Sequence, residues 1–143
     1  MRVLALDYGS ARCGVAVSDP TGVLATPLEP VLRANTRRGI DRLATIVRET
    51  GARRVVVGLP LSLSGGDSDQ TAEARGFAER LARRLGEEVP VELYDERFTT
   101  RIAQRSGGGR TSEDSRAAAV LLEDWLAAHA GREDGPSAPD GIA

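Results

Sequence analysis

The sequence predicts an α/β domain, a mixed five-stranded sheet in βββαβαβα order with helices packed on its faces. Three observations carry this. The first 32 residues hold three β-compatible runs joined by tight turns, and from Thr36 onward segments of helical period alternate with short apolar runs. The chain has 143 residues, 41% of them hydrophobic and 28% charged, enough for one sizeable core and too few for a second full domain.

Arg2 to Leu6 and Cys13 to Val17 are the first two strand runs, separated at Tyr8-Gly9-Ser10. Asp19-Pro20-Thr21-Gly22 carries proline second and glycine fourth, the pattern of a type I turn, so Val23 to Leu32 returns as a third strand. Pro27 and Pro30 cannot donate to a ladder, which places that strand at an edge. Beyond Thr36, Ile40, Leu43, Ala44 and Val47 share one helical face and Gly51 stands at the C-terminal cap.

Arg54 to Gly58 is apolar on both faces, as a central strand covered by helices should be. After a polar loop, Asp69 to Leu85 puts Phe77, Leu81 and Leu85 on a stripe opposite Glu79, Arg80, Arg83 and Arg84, ending at Gly86. Val89 to Tyr94 makes the fifth strand. A short helical segment from Thr99, a break at Gly107-Gly108-Gly109 and a last helix from Asp114 to Ala130 follow. The domain is expected over residues 1–131, with 132–143 a disordered tail that lacks an apolar face. RNase H-like domains have this element order.

Composition removes several chemistries. All nineteen basic residues are arginine, which excludes Walker-type loops, Schiff-base lysines and kinase-type lysines. One cysteine and one histidine exclude a disulfide framework, a cysteine-rich zinc site and a paired-histidine metal site. The net charge of −2 gives no global attraction to nucleic acid, so such a partner must be held by local arginines and metal ions. No apolar run approaches the roughly 20 residues that span a bilayer, and no signal-peptide pattern opens the chain, so no membrane partner and a cytoplasmic location are expected.

The remaining chemistry is carboxylate chemistry. Asp7 ends the first strand, Asp95 and Glu96 end the fifth, and Asp114 opens the last helix. In open α/β sheets, ligands favour the crevice outside the carboxyl ends of the strands, where these acids are expected to converge. Hard cations such as Mg²⁺ or Mn²⁺ take oxygen ligands, and two of them about 3.5–4 Å apart can activate water and stabilise the leaving oxygen of a phosphodiester. Strand alternation sends Asp95 and Glu96 to opposite faces, so one of them is the direct ligand; the expected metal set is Asp7, Glu96 and Asp114.

The blocks LALDYGSARCGVAVSDP, VVVGLPLSLSGG, YDERFTT and DSRAAAVLLEDWL resemble, in order and spacing, the four signature blocks of the YqgF family, also called RuvX. The resemblance implies an RNase H-like fold and a metal-dependent nuclease associated with maturation of the pre-16S rRNA 5′ end or with Holliday-junction resolution. It places Asp7, Asp95, Glu96 and Asp114 at the family's acidic motif positions. Gln104 to Glu113 is shorter than is usual in the family, and Cys13 stands where an aliphatic residue is usual.

Each candidate has a structural alternative. Asp7 before Gly9 also suits a turn, and Asp114 also suits a helix cap worth about 0.5–2 kcal/mol. Arg97, Arg101 and Arg105 recur every four residues and form either a phosphate-binding face or a solvated one. Arg12, Arg97, Thr99 and Thr100 are the substrate-binding candidates. Gly58-Leu59-Pro60 and Ser62 to Gly66 either offer backbone N–H groups to a phosphate or simply connect strand to helix. Asp19 is read as a turn residue, and Trp125 and His129 as packing or surface groups without a catalytic role.

Two rival functions remain. The first block also resembles the phosphate hairpin of actin-like ATPases and sugar kinases, but those close two lobes around a nucleotide and this chain has residues for one. A non-catalytic nucleic-acid-binding module would not need the four acids. The expected substrate is nucleic acid, with RNA favoured over branched DNA. A homodimer fits either and is required only for symmetric cutting of a junction.

Overall fold

The computed structural model describes residues 1–59, 69–95 and 113–129. Its elements run β1 (Val3–Asp7), β2 (Arg12–Ser18), β3 (Ala25–Leu32), α1 (Arg37–Thr50), β4 (Arg54–Leu59), α2 (Asp69–Leu85), β5 (Val91–Asp95) and α3 (Glu113–His129). This is the expected βββαβαβα order. The polar loop expected before α2, the short helical segment expected from Thr99 and the expected tail lie outside the described residues.

The sheet order is β3-β2-β1-β4-β5, with β1–β2 and β2–β3 antiparallel and β1, β4 and β5 mutually parallel. The proline-bearing β3 is an edge, as its missing donors require. Cys13 faces Val31 while Val15 faces Leu28, so Glu29 and Pro30 together oppose Gly14 in a bulge. The third strand begins at Ala25 rather than Val23 because Asp19 holds the turn longer. Its carboxylate accepts the N–H groups of Val23 and Leu24, both at 2.8 Å, and the Thr21 hydroxyl.

Two cores flank the sheet. On one face Leu4, Leu6, Val15, Val55 and Val57 pack under α1 and α2, where Phe77 and Leu81 are fully buried. On the other Val3, Ala5, Ala16 and Val56 pack under α3, against Leu121, Leu122 and Trp125. The alternation along each strand therefore assigns every residue at the carboxyl edge to a face. Helix α1 starts where the Thr36 hydroxyl accepts the Gly39 N–H at 3.1 Å, and it ends at Gly51, left-handed at φ 76°. No described helix is long and apolar enough to cross a membrane.

Candidate active site

The parallel strands β1, β4 and β5 end together, and the antiparallel neighbour β2 starts there. Asp7, the last residue of β1, pairs with Gly14 of β2. Val3 and Ala5 belong to the α3 face, so Asp7 shares it. Gly14 shares it as well, and α3 arrives over this glycine. A β-carbon there would stand 1.8 Å from the Asp114 carbonyl oxygen and 2.9 Å from the Ser115 nitrogen. Only glycine permits that approach.

The fully buried Ser115 fixes the docking, its hydroxyl oxygen accepting the Val15 N–H at 3.2 Å. The start of α3, with Asp114 in its first turn, is thus held over the end of β1. The electrostatics of the site follows from this placement. The Cys13 thiol is fully buried on the opposite face, and its pKa is pushed up first by burial, then by the negative charges of Asp7 and Asp114. One sulfur feels both carboxylates although 107 residues of chain separate them.

Arg12, the first residue of β2, extends over the same rim, its Nε 3.8 Å from an Asp114 carboxylate oxygen. At this exposure the pair adds little stability, and the guanidinium remains accessible beside the acids. Asp95 is placed differently. It pairs with Leu59 at the same edge, but it alternates with Val91, which packs under α1 and α2, whereas Tyr94 packs on the α3 face. Asp95 therefore stands on the far face from Asp7 and Asp114. Glu96, Arg97, Thr99 and Thr100 lie outside the described residues.

Among the described residues no group of three acidic, histidine or cysteine side chains closes into a metal cage. The two acids that do share a face are oxygen donors on separate rigid elements, which suits a hard cation and leaves positions for a third ligand and water. Cys13 is turned away, so no soft donor competes.

Sequence reasoning did not single out Gly14 or Ser115. The signal was present: an isolated glycine within the apolar run Cys13 to Val17 marks close backbone approach. Of the two residues expected to pack or lie at the surface, Trp125 is buried and His129 half-buried. Trp125 donates to Glu92 at 2.8 Å, and its ring stacks on His129 at 3.9 Å.

A family model described as RuvX, Holliday junction resolvase, matches residues 1–128. Among curated proteins, one named "Putative pre-16S rRNA nuclease" from Mycolicibacterium paratuberculosis is 46% identical over 133 residues, covering 87% of this chain and 79% of that protein. A relative of the same name from Mycobacterium leprae is 44% identical, covering 95% and 80%. Among solved structures, RuvC of Thermus thermophilus in complex with a Holliday junction superposes with a TM-score of 0.60 at 20% identity, covering 92% of this chain and 96% of that one. At that identity the likeness concerns the fold, which is RNase H-like as the sequence predicts.

Proposed function

The chain belongs to the RuvX family, and from that premise we propose that it is a divalent-metal-dependent nuclease that hydrolyses RNA phosphodiesters in maturation of the pre-16S rRNA 5′ end, in the cytoplasm. The observation that carries the reading is the convergence of Asp7 and Asp114 on one face across Gly14. The names of the relatives favour ribosomal RNA over a DNA junction as the substrate.

Asp7 and Asp114, with Glu96 as the third donor, are the residues that would hold Mg²⁺ or Mn²⁺. Bound there, the metal supplies Lewis-acid stabilisation of charge on the scissile phosphate and lowers the pKa of a coordinated water. The chain's own residues do the rest. The sheet and α3 fix the carboxylates before substrate arrives, so little reorganisation is needed at the moment of reaction. Arg12 at the rim can take a non-bridging phosphate oxygen and orient the phosphorus for in-line attack. Water adds to phosphorus, the bond to the leaving ribose oxygen breaks, and the water's proton ends on solvent or on that oxygen. Arg97, Thr99 and Thr100 are assigned to the same substrate contact, and Asp95 to support of the edge from its other face.

Purified protein should be assayed with Mg²⁺ and with Mn²⁺ on a 5′-extended 16S precursor, a duplex DNA and a four-way junction. Metal-dependent cleavage fastest on the RNA is the expected result. Paired nicks at the junction outpacing every RNA would assign the chain to junction resolution, with a homodimer then required. No cleavage of any substrate would overturn the reading.

A further inference from the structure

Helices α1 and α2 lie side by side on the face away from α3, and a groove between them carries charge that the candidate active site does not use. They run in the same direction. Arg80 reaches back to Asn35, just before α1, donating to its side-chain oxygen at 2.7 Å and to its carbonyl at 3.1 Å, while Arg84 reaches Asp41 at 3.3 Å. Between these tethers is a cavity of about 380 Å³ lined by Arg37, Asp41, Arg80, Arg83 and Arg84. Four guanidinium groups thus face one carboxylate, in a chain whose net charge is −2. Among the described residues Arg37 and Arg83 have no hydrogen-bond or ion-pair partner, and both are exposed.

The Arg80–Asn35 hydrogen bonds stand between this groove and a second cavity near the end of β1, on the α1/α2 face. This cavity, of about 390 Å³, is lined by Tyr8, Ser10, Arg33, Asn35 and Glu73, so it begins one residue beyond Asp7 and shares Asn35 with the Arg80 tether. Tyr8 anchors its inner wall, donating its hydroxyl to Glu73 and stacking on Phe77 with ring centroids 4.6 Å apart. Its ring is buried, so no aromatic platform is offered to a base. Taken together the two linings hold five arginines, Arg33 in this cavity and Arg37, Arg80, Arg83 and Arg84 in the groove, against the carboxylates Glu73 and Asp41. The helical rise of about 1.5 Å per residue separates Arg80 from Arg84 by about 6 Å along the axis.

We propose that this set of arginines, Arg33 near the end of β1 and Arg37, Arg80 and Arg83 between the helices, binds the phosphate backbone of the substrate strand outside the scissile bond. Guanidinium groups spread over two cavities fit a phosphate polymer better than one small anion, and without base stacking they position the strand without reading its sequence. The proposal rests on the nuclease reading of the edge and extends it. It concerns binding, so it can be tested without cleavage.

The double variant Arg37→Gln/Arg83→Gln should be compared with wild type and with Arg42→Gln/Arg53→Gln, which removes the same charge elsewhere on the exposed surface. Binding of labelled single-stranded precursor RNA is followed in EDTA across a salt series. The groove variant is expected to bind several-fold more weakly, with the log–log salt slope shallower by about 0.7 for each phosphate no longer neutralised. Its melting temperature should be unchanged, and in metal-containing assays KM should rise while kcat holds. The control pair should behave as wild type. A groove variant with wild-type affinity and slope, one no weaker than the control, or a fall in kcat without a KM change would overturn the proposal. Failure of the nuclease reading looks different: RNA is bound with the groove-dependent slope and no substrate is cut.

Discussion

The Asp114 carbonyl oxygen lies 1.8 Å from the point that a β-carbon on Gly14 would occupy. Since Gly14 is also the strand partner of Asp7, this one approach sets how closely the two acids come together. A side chain at position 14 has nowhere to go, because the atoms it meets are backbone on a helix anchored by Ser115.

Gly14→Ala is therefore expected to act on stability and activity together. Overpacking of this kind costs about 1–3 kcal/mol, and lifting α3 by even about 1 Å would lower turnover by about 10²-fold. Thermal melts and single-turnover cleavage measure the two effects. A variant with wild-type melting and wild-type rate would show that Gly14 does not hold the acids in register.

The order of elements, the edge position of β3, the start of α1 after Thr36, its cap at Gly51 and the burial of Cys13 were legible because each follows from local chemistry: missing proline donors, a change of hydrophobic period, a glycine at a C-cap, an apolar run. That Asp7 and Asp114 would share an edge was legible only from topology. The face each acid occupies was less so. Asp95 and Glu96 are adjacent in sequence, and only the pairing of β5 with β4, with Tyr94 under α3 and Val91 under α2, shows that Asp95 points away from Asp7. The arginine groove could not be read from the chain because Asn35, Asp41, Arg80 and Arg84 come together only through the packing of α1 on α2.

Asp19 makes the β2–β3 turn pH-sensitive. Its carboxyl is held well below the usual range by the Thr21 hydroxyl first, then by the Leu24 and Val23 N–H groups. A carboxyl depressed in the folded state contributes stability that is present above its unfolded pKa of about 3.9 and is lost as pH falls through the folded value. Asp19→Ala should thus melt below wild type at neutral pH, and the gap should narrow as the pH is taken below about 4. A gap constant across that range would exclude the ionised carboxylate as the source.

Trp125 lies eleven residues along α3 from Asp114, about 16 Å by helical rise, so its role should separate from catalysis. Its Nε1–H donates to one Glu92 oxygen while Arg54 donates to the other at 2.9 Å. Trp125→Phe removes a donor to a charged acceptor and is expected to cost about 1.5–3 kcal/mol, with kcat unchanged. Chemical denaturation alongside a cleavage assay tests this. A large fall in kcat in the folded variant would mean that α3 transmits strain to the edge.

The sharpest prediction concerns the acids themselves. Carboxylates gathered on one face repel one another in the absence of metal, so replacing either with its neutral isostere removes repulsion along with the ligand. Asp7→Asn and Asp114→Asn should each abolish metal-dependent cleavage, with the fold intact and the metal-free melting temperature at or above wild type. Asp114 has a competing role, since it stands in the first turn of α3, where a carboxylate complements the helix dipole. If that were its whole function, Asp114→Asn would lose the charge–dipole interaction, about 0.3–1 kcal/mol, and keep its activity in proportion to the folded fraction. Calorimetric Mn²⁺ titration separates the two: a metal ligand loses heat of binding, whereas a dipole partner loses only stability. Folded Asp7→Asn and Asp114→Asn proteins that bind metal and cleave RNA as wild type does would remove the carboxylate pair from the mechanism.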